Sequence, residues 1–115
     1  MQQDCIFCNI VSGKISSEIL HKDDQCIAIR DINPQAPTHI LVLPKDHIPT
    51  LNDLTPQQMP ILSRLTEVAI GLAEKEGIAS KGYRVAINCG EEGGQAVAHL
   101  HLHLIGGRRL SGSLG

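Results

Sequence analysis

The chain has 115 residues, of which 42% are hydrophobic and 19% charged, and its formal net charge at pH 7 is -2. This length and balance are typical of one globular domain over 1–115, and the slightly negative charge offers no electrostatic footprint for DNA or RNA. The N-terminus carries no basic segment followed by an apolar run, and no apolar run approaches the roughly 20 residues that cross a bilayer. We therefore expect a cytoplasmic protein with no nucleic acid polymer and no membrane among its partners.

The first third of the chain predicts one short helix followed by two strands. Apolar residues at helical spacing run up to Gly13, which is placed to end a helix. These residues are Ile6, Phe7, Ile10 and Val11. A short edge strand is expected over 18–21 and a second strand over 26–30, with Asp23 and Asp24 forming the turn between them.

The middle of the chain predicts a buried strand and one long helix. Residues 39–43 are apolar on both faces beyond the first histidine, which is typical of a central strand. The Thr-Pro pair at 55–56 has the signature of a helix start, but Pro60 removes an amide one turn later, so the regular helix is expected to begin near Met59. The apolar face of this helix ends at Gly77. Its residues are Leu62, Leu65, Val68, Ala69, Leu72 and Ala73.

The last third predicts two strands joined as a hairpin. Residues 83–89 form the first strand, and a glycine-rich turn over 90–95 leads into the second strand, which contains three histidines. This hairpin would place Asn88 and Gln95 beside the histidines, and the glycines would let backbone approach a ligand closely. The whole pattern predicts an α+β fold, with one antiparallel sheet that carries a short N-terminal helix and one long helix on one face.

Three histidines, His99, His101 and His103, alternate with three leucines near the C-terminus. Side chains at alternate positions of a strand share one face at about 6.6 Å spacing, so three imidazoles would line one face and the leucines the other. The pattern alone leaves three interpretations open. The histidines could be hydrogen-bonded core residues, ligands of a metal, or the nucleophile and proton donors of phosphorus chemistry.

Two of the four cysteines, Cys5 and Cys8, have the Cys-x-x-Cys spacing of a metal or redox element. A reducing compartment makes a structural disulfide the less expected alternative. A tetrahedral zinc would need two further ligands. Cys26 and Cys89 are expected to be buried apolar residues.

The segment His-Leu-His-Leu-His-Leu-Ile at 99–105 is similar to the signature of the histidine triad (HIT) family of nucleotide hydrolases and transferases. Three further stretches, at 31–39, 93–95 and 106–108, resemble the Hint branch of that family. The resemblance covers about 5–109 and leaves 110–115 as a C-terminal tail. It implies a HIT-like fold whose sheet continues across a homodimer.

The resemblance also implies a reaction, the hydrolysis of purine nucleoside 5′-phosphoramidates such as AMP linked to an amine or to lysine. The implied intermediate is a covalent nucleotidyl-histidine, and no cofactor is required for this scheme. The alternatives are a dinucleoside polyphosphate hydrolase of the same family, or a nucleotide-binding interaction module with incidental activity.

Residue roles follow from the same resemblance. His101 would be the nucleophile, and His39 and His99 would belong to the proton network. His103 and Asn88 would bind phosphate oxygens. The other implied nucleotide-binding residues are Asp31 at the ribose hydroxyls, Gln95 near the bridging position, and Phe7 and Ile32 at the base.

Some bacterial members of the family bind a structural zinc ion through such a cysteine pair, a histidine after the central strand and the first histidine of the triad. The corresponding residues here are Cys5, Cys8, His47 and His99. The chain departs from the branch pattern at Ile29, Ala96 and Ala98, which bear on the base and on the leaving group.

Overall fold

The computed structural model describes residues 4–114 and contains two helices and five strands. The elements are α1 (Ile6–Val11), β1 (Ile19–Lys22), β2 (Cys26–Arg30), β3 (Thr38–Pro44), a 3-10 turn (Leu51–Asp53), α2 (Pro60–Lys75), β4 (Tyr83–Ile87) and β5 (Leu102–Gly106). All strands pair antiparallel in one sheet of order β1-β2-β3-β5-β4. The predicted α+β fold, with its long and short helices, is confirmed.

The two helices cover opposite faces of this sheet, so the prediction that both lie on one face is wrong. On one face, Ala28 of β2 and Ile40 of β3 pack with the apolar residues of α2. On the other face, their neighbours Ile29 and Leu41 pack with Phe7 of α1. The physical reason is that β2 and β3 are apolar on both sides, and a strand of that kind must be covered twice.

The long helix begins at Pro60, as predicted from the position of this proline. Its first turn is preceded by a tight turn in which the amide of Thr55 donates to Oε1 of Gln58 at 3.0 Å. The helix ends before Gly77, whose φ of +75° is the left-handed conformation typical of that position. Within 4–114, neither helix is long and apolar enough to cross a membrane.

The histidine segment is shorter as a strand than the alternation predicts. β5 begins at Leu102, so only His103 of the three histidines lies in it, and 14 residues (88–101) connect it to β4 instead of a tight turn. The reason is a competing partner, because the amide of Leu100 donates to the carbonyl of Ile48 at 2.6 Å. The leucines at 100, 102 and 104 nevertheless share one core and are at most 1% exposed.

Glycine is required in the connection for a packing reason. A Cβ atom at Gly93 would lie 2.4 Å from the carbonyl oxygen of Cys89, a distance that real structures do not tolerate. The turn therefore needs this glycine to close on its own backbone.

Candidate active site and metal-binding cluster

The three imidazoles of the triad lie together on the α1 side of the sheet. The rings of His101 and His103 are 5.0 Å apart, and the edge of Phe7 contacts His99 and His101 at centroid distances of 5.7 and 5.1 Å. His99 is fully buried and His101 is 6% exposed. The prediction that the histidines share one face and the leucines the other is confirmed.

His101 is held in one tautomer by the main chain. Its Nδ1 lies 2.7 Å from the carbonyl oxygen of His99. Because a carbonyl oxygen only accepts, Nδ1 carries the proton and donates. In the neutral ring the lone pair is then on Nε2, which makes that atom the nucleophilic one.

His39 and His103 form a second pair with defined protons. The main-chain amide of Gln35 donates to Nδ1 of His39 at 3.0 Å, so the proton of the neutral His39 ring is on Nε2. This Nε2 lies 3.0 Å from Nδ1 of His103 and 3.4 Å from Oδ2 of Asp31. Donation from His39 to His103 leaves the proton of His103 on its own Nε2, as a hydrogen-bond donor.

Burial keeps both rings of this pair neutral. Desolvation lowers the pKa of His103 to about 4, with the neighbouring His101 and His39 adding to the effect. Desolvation also lowers the pKa of His39 below its ordinary value, and the charge of Asp31 opposes this only in part. Neutral imidazoles can be nucleophiles and hydrogen-bond donors at the same time, as phosphorus chemistry requires.

The residues expected to bind the nucleotide differ in their exposure and in their hydrogen-bond partners. Asp31 lies beside His39, and the side chain of Ile32, the next residue in the chain, is 85% exposed. Phe7 is buried beneath the histidines. The side-chain amide of Asn88 donates to the carbonyl of Gly93 in its own loop, and that of Gln95 donates to the carbonyls of Val97 and of Pro49 in a neighbouring loop.

The four residues expected at zinc converge on one point. One donor atom of each of Cys5, Cys8, His47 and His99 lies within 4.8 Å of the others. The sulfur of Cys8 is 3.3 Å from Nδ1 of His47 and 3.6 Å from Nδ1 of His99, and the sulfur of Cys5 is 3.3 Å from the same His99 atom. These separations are close to the roughly 3.5 Å expected between sulfur and nitrogen ligands of one tetrahedral zinc.

The surroundings of these four side chains also suit metal ligands. Nε2 of His99 donates to the carbonyl of Pro44 at 2.8 Å, which leaves Nδ1 with its lone pair. The amide of Cys8 donates to the sulfur of Cys5 at 3.3 Å, so the main chain of α1 holds this sulfur in position. The donor set therefore fits zinc.

A second group of metal-type ligands, His21, Asp23 and Cys26, does not fit a cation. Arg64 already donates to Oδ2 of Asp23 at 2.7 Å, and Nε2 of His21 lies 2.6 Å from the same oxygen. Because the guanidinium supplies the positive charge there, this cluster serves to tie the β1–β2 turn to α2.

Sequence reasoning missed three groups that position the histidines. These are the amide of Gln35, the carbonyl of Pro44 and the guanidinium of Arg108, which donates to the carbonyl of Gln35 at 2.9 Å. The first two are main-chain groups, and because every residue has such groups, the sequence does not show which of them contact a histidine. Gln35 and Arg108 do lie in stretches that resemble the family, and that resemblance was the sequence feature that could have pointed to them.

Comparison with known proteins places this site in a family. The family model described as HIT domain matches residues 12–110. The purine nucleoside phosphoramidase of Escherichia coli (strain K12) is 48% identical over 110 residues, which are 96% of this chain and 92% of that protein.

Two solved structures are also similar. The HIT family hydrolase from Legionella pneumophila Philadelphia 1 has a TM-score of 0.94 and 43% identity, covering 97% of this chain and all of that one. A zinc-bound histidine triad family protein from Mycobacterium smegmatis has a TM-score of 0.80 and 32% identity, covering 97% of this chain and 80% of that one. The chain is therefore an enzyme of the histidine triad (HIT) family, as its sequence predicted.

Proposed function

We propose that this enzyme hydrolyses purine nucleoside 5′-phosphoramidates through a covalent intermediate on His101. The observation that carries the proposal is the tautomer of His101, whose Nδ1–H is bound by the carbonyl of His99 at 2.7 Å while Nε2 keeps its lone pair. The similarity to a purine nucleoside phosphoramidase supports the substrate class.

In the first step, Nε2 of His101 attacks the α-phosphorus of the nucleotide. A P–N bond to His101 forms, the P–N bond to the amine breaks, and the amine leaves with a proton supplied from the histidine network. In the second step, water attacks the same phosphorus and gives up a proton that replaces the one donated to the amine, while the bond to His101 breaks to release AMP and restore the neutral ring. His103, with its proton on Nε2, is the donor for a phosphate oxygen as negative charge develops.

The nucleoside is proposed to lie over the loop that follows β2. The carboxylate of Asp31 would accept hydrogen bonds from the ribose hydroxyls, and the exposed side chain of Ile32 would contact the base. Phe7 would act from below, by fixing the rings of the triad. Asn88 and Gln95 would reach the phosphate and the leaving group by exchanging the loop hydrogen bonds that they make now.

The test compares release of AMP from an adenosine 5′-phosphoramidate by the wild type, by His101→Ala and by His21→Ala. Loss of the nucleophile is expected to lower kcat by at least about a thousandfold. His21 lies on β1, away from the triad, so His21→Ala controls for the loss of an imidazole. Equal, slow rates in wild type and His101→Ala would mean that the triad binds nucleotides without cleaving them.

Diadenosine polyphosphate serves as the competing substrate in the same assay. A hydrolase for phosphoramidates should have the larger kcat/KM with the AMP-amine. The reverse order would favour the polyphosphate activity of the family.

We further propose that Cys5, Cys8, His47 and His99 hold a structural zinc ion. The convergence of two sulfurs and two ring nitrogens in a buried pocket supports this, as does the zinc-bound relative from Mycobacterium smegmatis. The ion would fix α1 against the triad segment and leave catalysis to His101, His103 and His39. Cys26 and Cys89, which lie outside this cluster, are free cysteines, in keeping with the proposed cytoplasmic location.

The proposed assembly is a homodimer in which two sheets join at β4. This strand is the regular edge of the sheet, while the other edge strand, β1, has an irregularity between Ile19 and His21. Helix α2 packs mainly on β2, β3 and β5, and Val85 of β4 is 41% exposed. A regular edge strand with an exposed apolar residue is a surface that can pair with a second copy.

A further inference from the structure

Arg108 contacts the loop that supports the active-site histidines. Its Nη2 and Nε donate to the main-chain carbonyl of Gln35 at 2.9 and 3.3 Å, and its Nη1 donates to the carbonyl of Arg109 at 3.0 Å. Within residues 4–114, no carboxylate lies within 4 Å of this guanidinium, so these carbonyls are its partners.

Arg108 holds the carbonyl of the same residue, Gln35, whose amide sets the proton position of His39. While the carbonyl of Gln35 accepts from Arg108, the amide of Gln35 donates to Nδ1 of His39 at 3.0 Å. A donor at Nδ1 excludes a proton there, so the proton of the neutral ring must lie on Nε2. From Nε2 it reaches Nδ1 of His103 at 3.0 Å.

The turn that follows β5 places Arg108 next to the carbonyl of Gln35. Gly107 has a φ of +94°, and a Cβ atom there would lie 3.0 Å from the Cβ of Pro37. The chain thus turns closely over the loop, and Pro34 and Pro37 limit the freedom of the residues between them. Gln35 is exposed, and its main chain is held from two sides, at the amide by His39 and at the carbonyl by Arg108.

We propose that Arg108, acting through the main-chain amide of Gln35, is a positioning residue that locks the His39–His103 pair in the tautomer with His103 protonated at Nε2. The inference rests on the proposed function for its effect on rate, and on hydrogen-bond geometry alone for its effect on tautomer. Without the lock, His39 can carry its proton on Nδ1, and Nδ1 of His103 then loses its donor. His103 would in that case present a lone pair instead of a proton to the phosphate oxygen.

The first readout is the tautomer itself. In protein labelled with nitrogen-15 in the histidine rings, protonated and unprotonated ring nitrogens have widely separated chemical shifts, so each tautomer can be read directly. Gln35→Pro removes the amide hydrogen and is expected to move the His39 proton toward Nδ1. Gln35→Ala keeps the amide and is expected to retain the wild-type ring shifts.

The second readout is kinetic and uses Arg108. Arg108→Ala is expected to lower kcat on the AMP-amine about five- to tenfold with KM changed less than about twofold, the size of one lost hydrogen bond to a positioned group. Arg108→Lys, which can still donate to the carbonyl, should recover most of kcat. Arg109→Ala removes the neighbouring exposed charge and is the matched control, with kcat expected to stay at the wild-type value.

The outcomes separate this inference from the proposed function. Unchanged ring shifts in both Gln35→Pro and Arg108→Ala would overturn the inference, whatever the rates. If Gln35→Pro does not fold, Arg108→Ala decides alone. Equal loss of kcat in Arg108→Ala and Arg109→Ala would also overturn it, because charge and not the hydrogen bond would then matter. A wild type that does not cleave the AMP-amine would refute the proposed function while the ring shifts still test the lock.

Discussion

Three histidines of this site, His99, His101 and His39, are each bound to a different main-chain group. His99 donates to the carbonyl of Pro44, His101 donates to the carbonyl of His99, and His39 accepts from the amide of Gln35. Each contact fixes the proton on one nitrogen and leaves the other nitrogen for chemistry. In the proposed function, three rings of the same type thereby take different roles: His99 as a metal ligand, His101 as the nucleophile and His39 as the donor to His103.

Because its ring is partly buried, His103 makes the free energy of unfolding depend on pH. Its pKa is lowered to about 4 by burial and is near 6.5 in the unfolded chain, so between these values the unfolded state binds more protons. The contribution of a neutral His103 is present above pH 6.5 and is lost as the pH falls toward 4. We expect about 2 kcal/mol of this loss between pH 7 and pH 5.

The measurement is the free energy of unfolding against pH for the wild type and for His103→Asn, which cannot titrate. The wild type should lose more stability on acidification than the variant, and the difference isolates His103 from other groups. Parallel curves for the two proteins would contradict the assignment of a neutral, desolvated ring.

The sequence identifies the histidines of the site but does not show which ring nitrogen of each carries the proton. The alternation of histidine and leucine predicts a shared face for the imidazoles, and the structure confirms it. The tautomers depend on the carbonyls of His99 and Pro44 and on the amide of Gln35, and every residue type carries such groups. Arg108 was visible as part of a motif, but its contact with Gln35 spans 73 positions and follows from the fold alone.

At the scale of elements, the outcome depends on which partner each segment finds. Residues 99–101 have the alternation of a strand, yet the amide of Leu100 bonds to Ile48, so β5 starts three residues later. The prediction that α1 lies on the same face of the sheet as α2 was wrong, because a helix of six residues has no long apolar face that would show which side of the sheet it covers. The two-sided burial of β2 and β3 decides that each face needs its own helix.

The candidate metal-binding cluster connects α1 with the triad segment. A helix of one or two turns is marginal by itself, so a zinc ion shared by Cys5, Cys8, His47 and His99 should hold it in place. We expect purified protein, prepared without chelator, to contain about one zinc per chain, and Cys8→Ser to lose it together with about 2–4 kcal/mol of stability.

Elemental analysis and thermal unfolding measure these two effects, with Cys89→Ser as the control cysteine outside the cluster. Zinc content should be the same in wild type and Cys89→Ser. Wild-type protein with no stoichiometric zinc would rule out the metal site and leave the four side chains as a hydrogen-bonded core.

At the scale of the whole molecule, the exposed Val85 on the edge strand β4 is the feature that predicts assembly. Register places Val85 opposite Leu104, on the α2 side of the sheet, and Val85 is exposed while Tyr83 and Ile87 of the same strand pack against the core. The family resemblance implied a sheet that continues across a homodimer, and the exposed Val85 indicates that β4 is the strand at which the two sheets would join. The sequence alone did not identify this edge, because a single valine in a short strand also occurs in buried sheets.

We expect light scattering at micromolar concentration to give twice the mass of one chain. Val85→Lys should lower that mass toward one chain, because two lysines would meet across the paired edges. Ile19→Lys is the matched control, since Ile19 is a similarly exposed apolar residue, 45% accessible, on the opposite edge strand. Dissociation by Ile19→Lys with an intact Val85→Lys dimer would show that the sheets meet elsewhere.

The proposed covalent intermediate is tested by trapping a nucleotide on His101. Wild-type and His101→Ala protein are mixed with an adenosine 5′-phosphoramidate and quenched rapidly in alkali, because a phosphorus–imidazole bond is labile in acid. Peptide mass spectrometry then locates any adenylyl group. We predict an adenylyl group on His101 of the wild type and on no residue of His101→Ala. An adenylyl group on another residue, or AMP release at the wild-type rate by His101→Ala, would contradict the proposed nucleophile.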